Sequence, residues 1–219
     1  LHRLKTNSEN IETCVINMRN DISKLVSSID GLPLDDKIEA LNYLKSEMYK
    51  ISPFEDPVDC VQWVDADMVE ANDYNPNSVA PPEMELLTTS ISNDGFTQPI
   101  VVYHDPKNER YVVVDGFHRN RVGKEVDHIR ERIHERLPVV VINKSMAERI
   151  ASTIRHNRAR GTHGIAPMSK IVEELYFLGW SDKKISEQLG MDKDEVLRLK
   201  QFTGLGVLFK DHEYSKSWV

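Results

Sequence analysis

Residues 111–121 read YVVVDGFHRNR, and their reading decides the fold. Tyr111 to Val114 is an uninterrupted apolar, mostly β-branched run, which predicts a buried strand. Asp115 and Gly116 end it, and a helix is expected from about residue 118. A strand that passes through a glycine into a helix leaves unpaired backbone N–H groups at the helix N-terminus, where the macrodipole favours an anion. Arg119 and Arg121 add fork-shaped cationic donors, and His118 adds a further donor. The residues therefore spell a phosphate cradle of Gly116, His118, Arg119 and Arg121. A purely structural turn, with Asp115 as its capping carboxylate, is the competing reading.

Outward from this stretch the pattern is that of a small α+β domain. Pro99 to Tyr103 reads as a strand paired with Arg110 to Val114 across the turn at 104–108, and Leu137 to Ile142 as another buried strand. Cys60 to Val64 alternates, 72–82 is an Asn- and Pro-rich loop, and helical spacing predicts helices over 83–93 and 145–156. Upstream, Ile11, Val15, Met18, Ile22, Leu25 and Ile29 recur every three or four residues, predicting a helix over 9–29. Asp30-Gly31-Leu32-Pro33 breaks it: Gly31 suits a left-handed cap and Pro33 the first turn of a second helix reaching about residue 51. This hairpin either dimerises or packs on its own domain. Downstream of a flexible joint at 161–164 the chain is wholly helical, with helices over 167–178, 181–189 and 192–202. The expected domains are 1–55, 56–164 and 165–219.

Composition bounds the function. The 219 residues carry a net charge of −7, yet eleven of the Lys and Arg and only five acids fall between 116 and 160. An acidic chain with one basic segment points to a local anion site rather than to wholesale nucleic-acid binding, unless the run is only a solvated helix face. No apolar stretch approaches a membrane span and the start, LHRLKTNSEN, lacks an apolar signal core, so neither insertion nor secretion is expected; the absent initiator Met suggests a fragment. Cys14 and Cys60 fit a reduced, cytoplasmic protein.

Three boxes stand in order: Gly95-Phe96-Thr97-Gln98-Pro99-Ile100, then Gly116-Phe117-His118-Arg119-Asn120-Arg121, then Arg155-His156-Asn157-Arg158-Ala159-Arg160. They resemble the nucleotide-binding domain of the ParB/sulfiredoxin superfamily over about 58–165. The resemblance implies that Gln98 lies beside a nucleoside, that Gly116, His118, Arg119 and Arg121 hold phosphates, that Asn157 helps place Mg²⁺, and that Arg160 binds phosphate or braces the fold. Cytidine or adenosine triphosphate is the implied ligand. Phe117 stands where sulfiredoxins have their cysteine, which excludes thiolate chemistry. The spelling D-G-x-H-R is also similar to the free-serine-kinase branch, which would give Asp115 and an upstream acid, Glu70, Asp65 or Asp67, catalytic roles.

Within the superfamily the runs ANDYNPNSVAPPEM (71–84), VDGFHR (114–119), TIRHNRARG (153–161), GWSD (179–182) and FKDHEYSKSW (209–218) resemble the IbrB-like coactivators of prophage gene expression. That resemblance implies a partner similar to phosphoadenosine-phosphosulfate reductase, called IbrA. Asp182 to Leu199, with Gly190 at the turn and Leu189, Val196 and Leu199 in the seam, has helix-turn-helix spacing. Asp192, Asp194 and Glu195 at the second helix's start oppose a polyanion and suit helix capping, leaving Lys183, Lys184, Arg198 and Lys200 as candidate phosphate contacts. Three function classes follow: a nucleotide-binding regulator associated with DNA, a nucleoside-triphosphatase or small-molecule kinase, and a DNA-binding factor needing no nucleotide.

Overall fold

The computed structural model describes residues 2–72, 81–158 and 165–203, with side chains described over 15–72, 81–155 and 168–203. The central part of the Asn- and Pro-rich loop and the joint at 161–164 lie outside them. The chain divides into two compact units at Trp63 and Val64.

The first unit holds two helices, α1 (His2–Asp30) and α2 (Leu34–Tyr49). Pro33 is the residue before α2 rather than part of its first turn, and its carbonyl accepts from the Lys37 amide at 2.8 Å. Gly31 is not left-handed, contrary to expectation, since the positive-φ glycines among the described residues are Gly95, Gly116, Gly179 and Gly190. The Leu32 amide instead bonds the Ile29 carbonyl at 3.1 Å, a tight last turn that any residue can make.

The second unit is built on a five-stranded sheet in the order β1-β5-β3-β4-β2, where β1 is Gln62–Asp65, β2 Val69–Glu70, β3 Ile100–Asp105, β4 Arg110–Asp115 and β5 Arg136–Val141. β3 and β4 form the expected antiparallel hairpin with Val102 opposite Val113, and β5 runs parallel to β3. β2, two residues long and parallel to β4, gave no periodic signal. Alternation along β3 and the apolar runs of β4 and β5 place Ile100, Val102, Val113, Val114, Leu137 and Val139 in the core.

Helix α3 (Pro81–Asp94) precedes the sheet's central hairpin, and α4 (Phe117–Glu125) leaves it. The helix expected after the glycine is two helices, because Val126 is extended at φ −98° and α5 (Asp127–Arg132) restarts the chain in a new direction. Gly123 lets α4 approach the sheet: a Cβ there would lie 2.5 Å from Leu137 Cδ2 and 3.1 Å from Phe96 Cζ.

Helix α6 (Met146–Arg158) opens on a capping box, in which the Glu148 amide donates to Ser145 Oγ while Glu148 Oε2 accepts from the Ser145 hydroxyl at 2.7 Å and the Ser145 amide at 3.0 Å. The two bonds from Ser145, its hydroxyl first and its amide second, hold the Glu148 carboxyl below its ordinary value. Then come α7 (Ile165–Phe177), α8 (Asp182–Leu189) and α9 (Lys193–Phe202). The last two start one residue later than expected because Ser181 and Asp192 act as N-caps, accepting from the amides of Lys184 and Glu195. Gly190, left-handed at φ 64°, closes α8.

One cluster unites the helical end with the sheet domain. Ile150, Ala151 and Ile154 of α6 pack with Ile171 and Leu175 of α7, Ile185 of α8 and Val196 of α9, while Thr153 of the same helix donates to the Val114 carbonyl at 2.8 Å. Ile154 is wholly buried. Ile154→Ala is expected to cost about 2–5 kcal/mol and to shift one cooperative urea transition, read by both a sheet-domain and a C-terminal probe; two separate transitions would show that the helices fold apart from the sheet.

Candidate functional site

The turn from β4 into α4 is shaped by one residue without a side chain. Gly116 sits at φ +90° and ψ 26° as the N-cap of α4, a conformation that L-residues rarely adopt. A Cβ on it would meet Arg119 Nη2 at 2.9 Å and the Ile100 Cα at 3.3 Å. The Asn120 amide closes the first helical bond onto the Gly116 carbonyl at 2.9 Å, so by helix geometry the N–H groups of Phe117, His118 and Arg119 have no intrahelical acceptor.

Arg119 folds back across this turn. Its Nη1 donates to Gln98 Oε1 at 2.8 Å, its Nη2 to the Pro99 carbonyl at 3.3 Å, and Nη2 lies 3.6 Å from the buried Asp115 carboxylate. The first two boxes are thus bonded to each other, and Arg119 is a brace between them as well as a cation. Arg121 is different: it is half exposed, paired with Glu125 at 2.8 Å, and lines a groove of about 330 Å³ between α3 and α4 with Met84 and Thr88. A solvent-exposed pair of this kind contributes at most about 1 kcal/mol, so its guanidinium is free to exchange partners.

Three other polar side chains border the same turn. Both ring nitrogens of His118, and the side-chain oxygens of Asn72 and Asn120, are shut off from solvent and meet no hydrogen-bond partner among the described residues. Asn72 is anchored from its other end, its Nδ2 donating to the Val113 carbonyl at 2.5 Å. Burial, more than the nearby Arg121 cation, pushes the His118 imidazole below its ordinary value, with Glu83 acting weakly the other way. Neither asparagine was singled out from sequence as a site residue; the available signal was Asn120 sharing the inner face of α4 with Gly123, a polar residue where a core helix should be apolar.

Asn157 lies on the last turn of α6, its side chain outside the described residues, and Arg160 is outside them altogether. Glu70 does not join Asp115. It stands opposite Val112 and pairs with Arg110 at 3.7 Å, at the far end of β4, while Asp65 is held by Arg136 at 2.7 Å and the Asp67 carbonyl accepts from Arg110. Among the described residues no three His, Cys, Asp or Glu side chains converge as a metal site.

In the C-terminal helices Lys183, Lys184 and Arg198 are exposed. Lys184 rests over the Trp180 ring at 4.3 Å, and Lys183 lies 3.9 Å from Glu187. Lys200 is not with them: it is buried, 2.8 Å from Asp182 Oδ1 and 4.2 Å above the Tyr176 ring.

Residues 55–158 match the ParB N-terminal domain family, and residues 163–211 match the IbrB-like C-terminal HTH domain family. A full-length relative, the "Uncharacterized protein YbdM" of Escherichia coli (strain K12), is 52% identical over 202 residues, covering 92% of this chain and 95% of that protein. The chain belongs to the ParB-like family with an IbrB-like C-terminal domain. Among solved structures, the C-terminally truncated chromosome-partitioning protein ParB from Caulobacter crescentus, complexed with CTP-gamma-S, is 18% identical, covering 69% of this chain and 88% of that one at a TM-score of 0.39. A Pnob8-like ParB-N domain is 11% identical, covering 69% and 73% at a TM-score of 0.47. Among the described residues no helix is long and apolar enough to cross a membrane.

Two outcomes test the turn of this ParB-like domain. Gly116→Ala is expected to lose about 1–2 kcal/mol from the left-handed backbone alone, more with the crowding against Arg119, measured as a lowered urea midpoint. His118 supplies a pH test. Its folded pKa lies below the unfolded 6.5, so as pH falls past 6.5 the unfolded chain takes the proton first and stability declines until the folded value is reached. Thermal melts of His118→Gln should lack that part of the wild-type decline between 6.5 and the lower folded pKa; identical pH profiles would contradict the buried, neutral imidazole.

Proposed function

We propose that the protein is a nucleotide-responsive, DNA-associated regulator of the ParB type, with the polyphosphate held at the head of α4. The observation that carries this reading is the left-handed glycine turn that opens α4, with solvent-shielded polar atoms that have no partner among the described residues on His118 and Asn120 of its first turn and on Asn72, which is bonded to β4. Buried polar atoms are rarely left unpaired in a folded protein, and a helix N-terminus together with cationic forks suits phosphate oxygens. Gly116 gives close backbone approach, neutral His118 donates one N–H, and Arg121 exchanges Glu125 for phosphate. Gln98, held by Arg119, borders the nucleoside.

The family resemblance names cytidine or adenosine triphosphate with Mg²⁺. The described residues offer anion donors rather than a metal cluster, which fits an ion that arrives on the phosphates and keeps several waters, with Asn157 and Arg160 as the residues proposed to complete its surroundings. Mg²⁺ there supplies neutralisation of phosphate charge. The separation of Glu70 from Asp115 favours binding over a kinase built on that pair of carboxylates. An IbrA-like partner and a coactivator role follow from the IbrB resemblance and belong to the same proposal.

Coupling to the C-terminal helices runs through α6. Thr153 bonds the Val114 carbonyl two residues before Gly116, and two residues further along the helix Arg155 Nη1 donates to the Gln188 carbonyl and Oε1 of α8 at 3.3 and 3.0 Å. A nucleotide shifts that arrangement to the extent that it binds two positions of α6 unequally. Lys183, Lys184 and Arg198 are proposed to touch DNA phosphates, whereas Lys200 holds the helices together.

Calorimetric titration of the full chain with cytidine, adenosine and guanosine triphosphates plus Mg²⁺ tests the reading. Arg119→Ala alone is ambiguous because it removes a brace; Arg121→Ala, at an exposed position, should keep the melting temperature and weaken binding about tenfold or more. Saturable binding unaffected in Arg121→Ala and His118→Gln would move the nucleotide elsewhere, and binding of none of the three would refute the site. For DNA, three exposed cations per chain predict a shallow salt dependence, a log–log slope of about −3 or less in magnitude for each chain bound. Lys184→Glu should reduce affinity, while Lys200→Ala should lower the melting temperature.

A further inference from the structure

We infer that the helical hairpin of the first unit is a self-association surface, and that its occupant is the hairpin of a second copy of this chain. In α1 the apolar residues Val15, Met18, Ile22 and Leu25 repeat at spacings of three and four and are 38, 54, 52 and 45% exposed. α2 carries its own stripe, Leu34, Leu41 and Met48, seven residues apart, and buries none of its residues. Ile29, beside the turn, is the only apolar residue of the pair that is buried among the described side chains. The two helices therefore do not satisfy each other.

The period identifies the kind of partner. Apolar residues every 3.5 positions present a straight seam only to another helix supercoiled against it. A single added helix would cover one seam and leave the other open. Two copies of a two-seam hairpin related by a twofold axis place four seams around one core, as in four-helix bundles, with each copy using the same patch. The area agrees: the eight large apolar side chains on or beside these stripes, between 38 and 58% exposed, amount to on the order of 700 Å². That exceeds the roughly 300–600 Å² of a typical monomer's largest patch and approaches the about 800 Å² per partner of a stable interface.

Charge does not oppose the pairing. The positions between seam residues mix signs, with Arg19, Asp21 and Lys24 on α1 and Asp35, Lys37, Glu39, Lys45 and Glu47 on α2, so a twofold contact brings opposite charges within reach rather than one field against itself. The lengths add a constraint of their own. α1 has 29 residues and α2 has 16, about 43 and 24 Å of helix, so α2 cannot flank all of α1.

Sedimentation equilibrium on the full chain, without nucleotide, tests this. The wild type is expected at twice 25.2 kDa over a wide concentration range. Ile22→Glu and Leu41→Glu place a carboxylate in the seam and should weaken association by about 100-fold or more, giving monomers whose second unit melts as in the wild type. Asn20→Glu, on the face of α1 opposite the seam, should remain dimeric. A monomeric wild type would overturn the inference whatever covers the hairpin instead, the second unit or another protein. A dimer that survives both seam substitutions together would overturn it as well, placing the interface elsewhere.

Discussion

One guanidinium crossing one glycine sets the geometry of the sheet domain's functional end. Arg119 reaches from the first turn of α4 to the Gln98 side chain, the Pro99 carbonyl and the Asp115 carboxylate, and it lies where a Cβ of residue 116 would be. The left-handed turn and the arginine therefore depend on each other: a side chain at 116 would crowd the brace, which adds side-chain bonds to the ladder that already pairs Asp115 at the exit of β4 with Val101 at the entrance of β3. That tie helps to set the direction of α4, whose Asn120 is buried and whose first amides have no intrahelical acceptor.

Helix α6 carries the consequence of that geometry to the other end of the second unit. It is bonded to β4 through Thr153 and contributes Ile150, Ala151 and Ile154 to the cluster in which α7, α8 and α9 are also buried. A helix whose apolar face belongs to one core and whose hydroxyl belongs to the neighbouring strand cannot shift at one contact without strain at the other, because packed interiors are close to crystalline in density. Under the proposed reading, phosphate arriving at the α4 N-terminus, two residues from the Val114 carbonyl, would act on the strand end to which α6 is bonded. That is the physical content of the proposed switch, which would need no contact between nucleotide and DNA.

Much of this was legible in sequence, for definite reasons. The valine run of β4 followed by Gly116 announced strand, turn and helix; the turn at Gly190 and the seam residues Leu189, Val196 and Leu199 announced the helix-turn-helix. What stayed hidden depended on tertiary context. β2 is two residues long and has no period to detect. The break at Val126 uses neither glycine nor proline. A lysine in the last turn of a recognition-like helix reads as exposed, yet Lys200 lies over Tyr176 and beside Asp182. Arg119 reads as a ligand donor, and only the fold shows its second task as a brace; the burial of Asn72 and Asn120 likewise exists only once the sheet has formed. The amphipathic pattern of α6 announced one buried face without saying that two parts of the unit share it.

The central claim, that ligand at the β4–α4 turn is felt along α6, is tested most directly by hydrogen–deuterium exchange of the full chain with and without saturating nucleoside triphosphate and Mg²⁺. The account predicts slower exchange at the first amides of α4, residues 117–119, together with altered exchange along α6 and in α8 where Gln188 meets Arg155. Protection confined to α4 would mean that a nucleotide binds without reaching the C-terminal helices, and unchanged exchange throughout, at concentrations where cytidine, adenosine and guanosine triphosphates have each been tried, would contradict the claim outright.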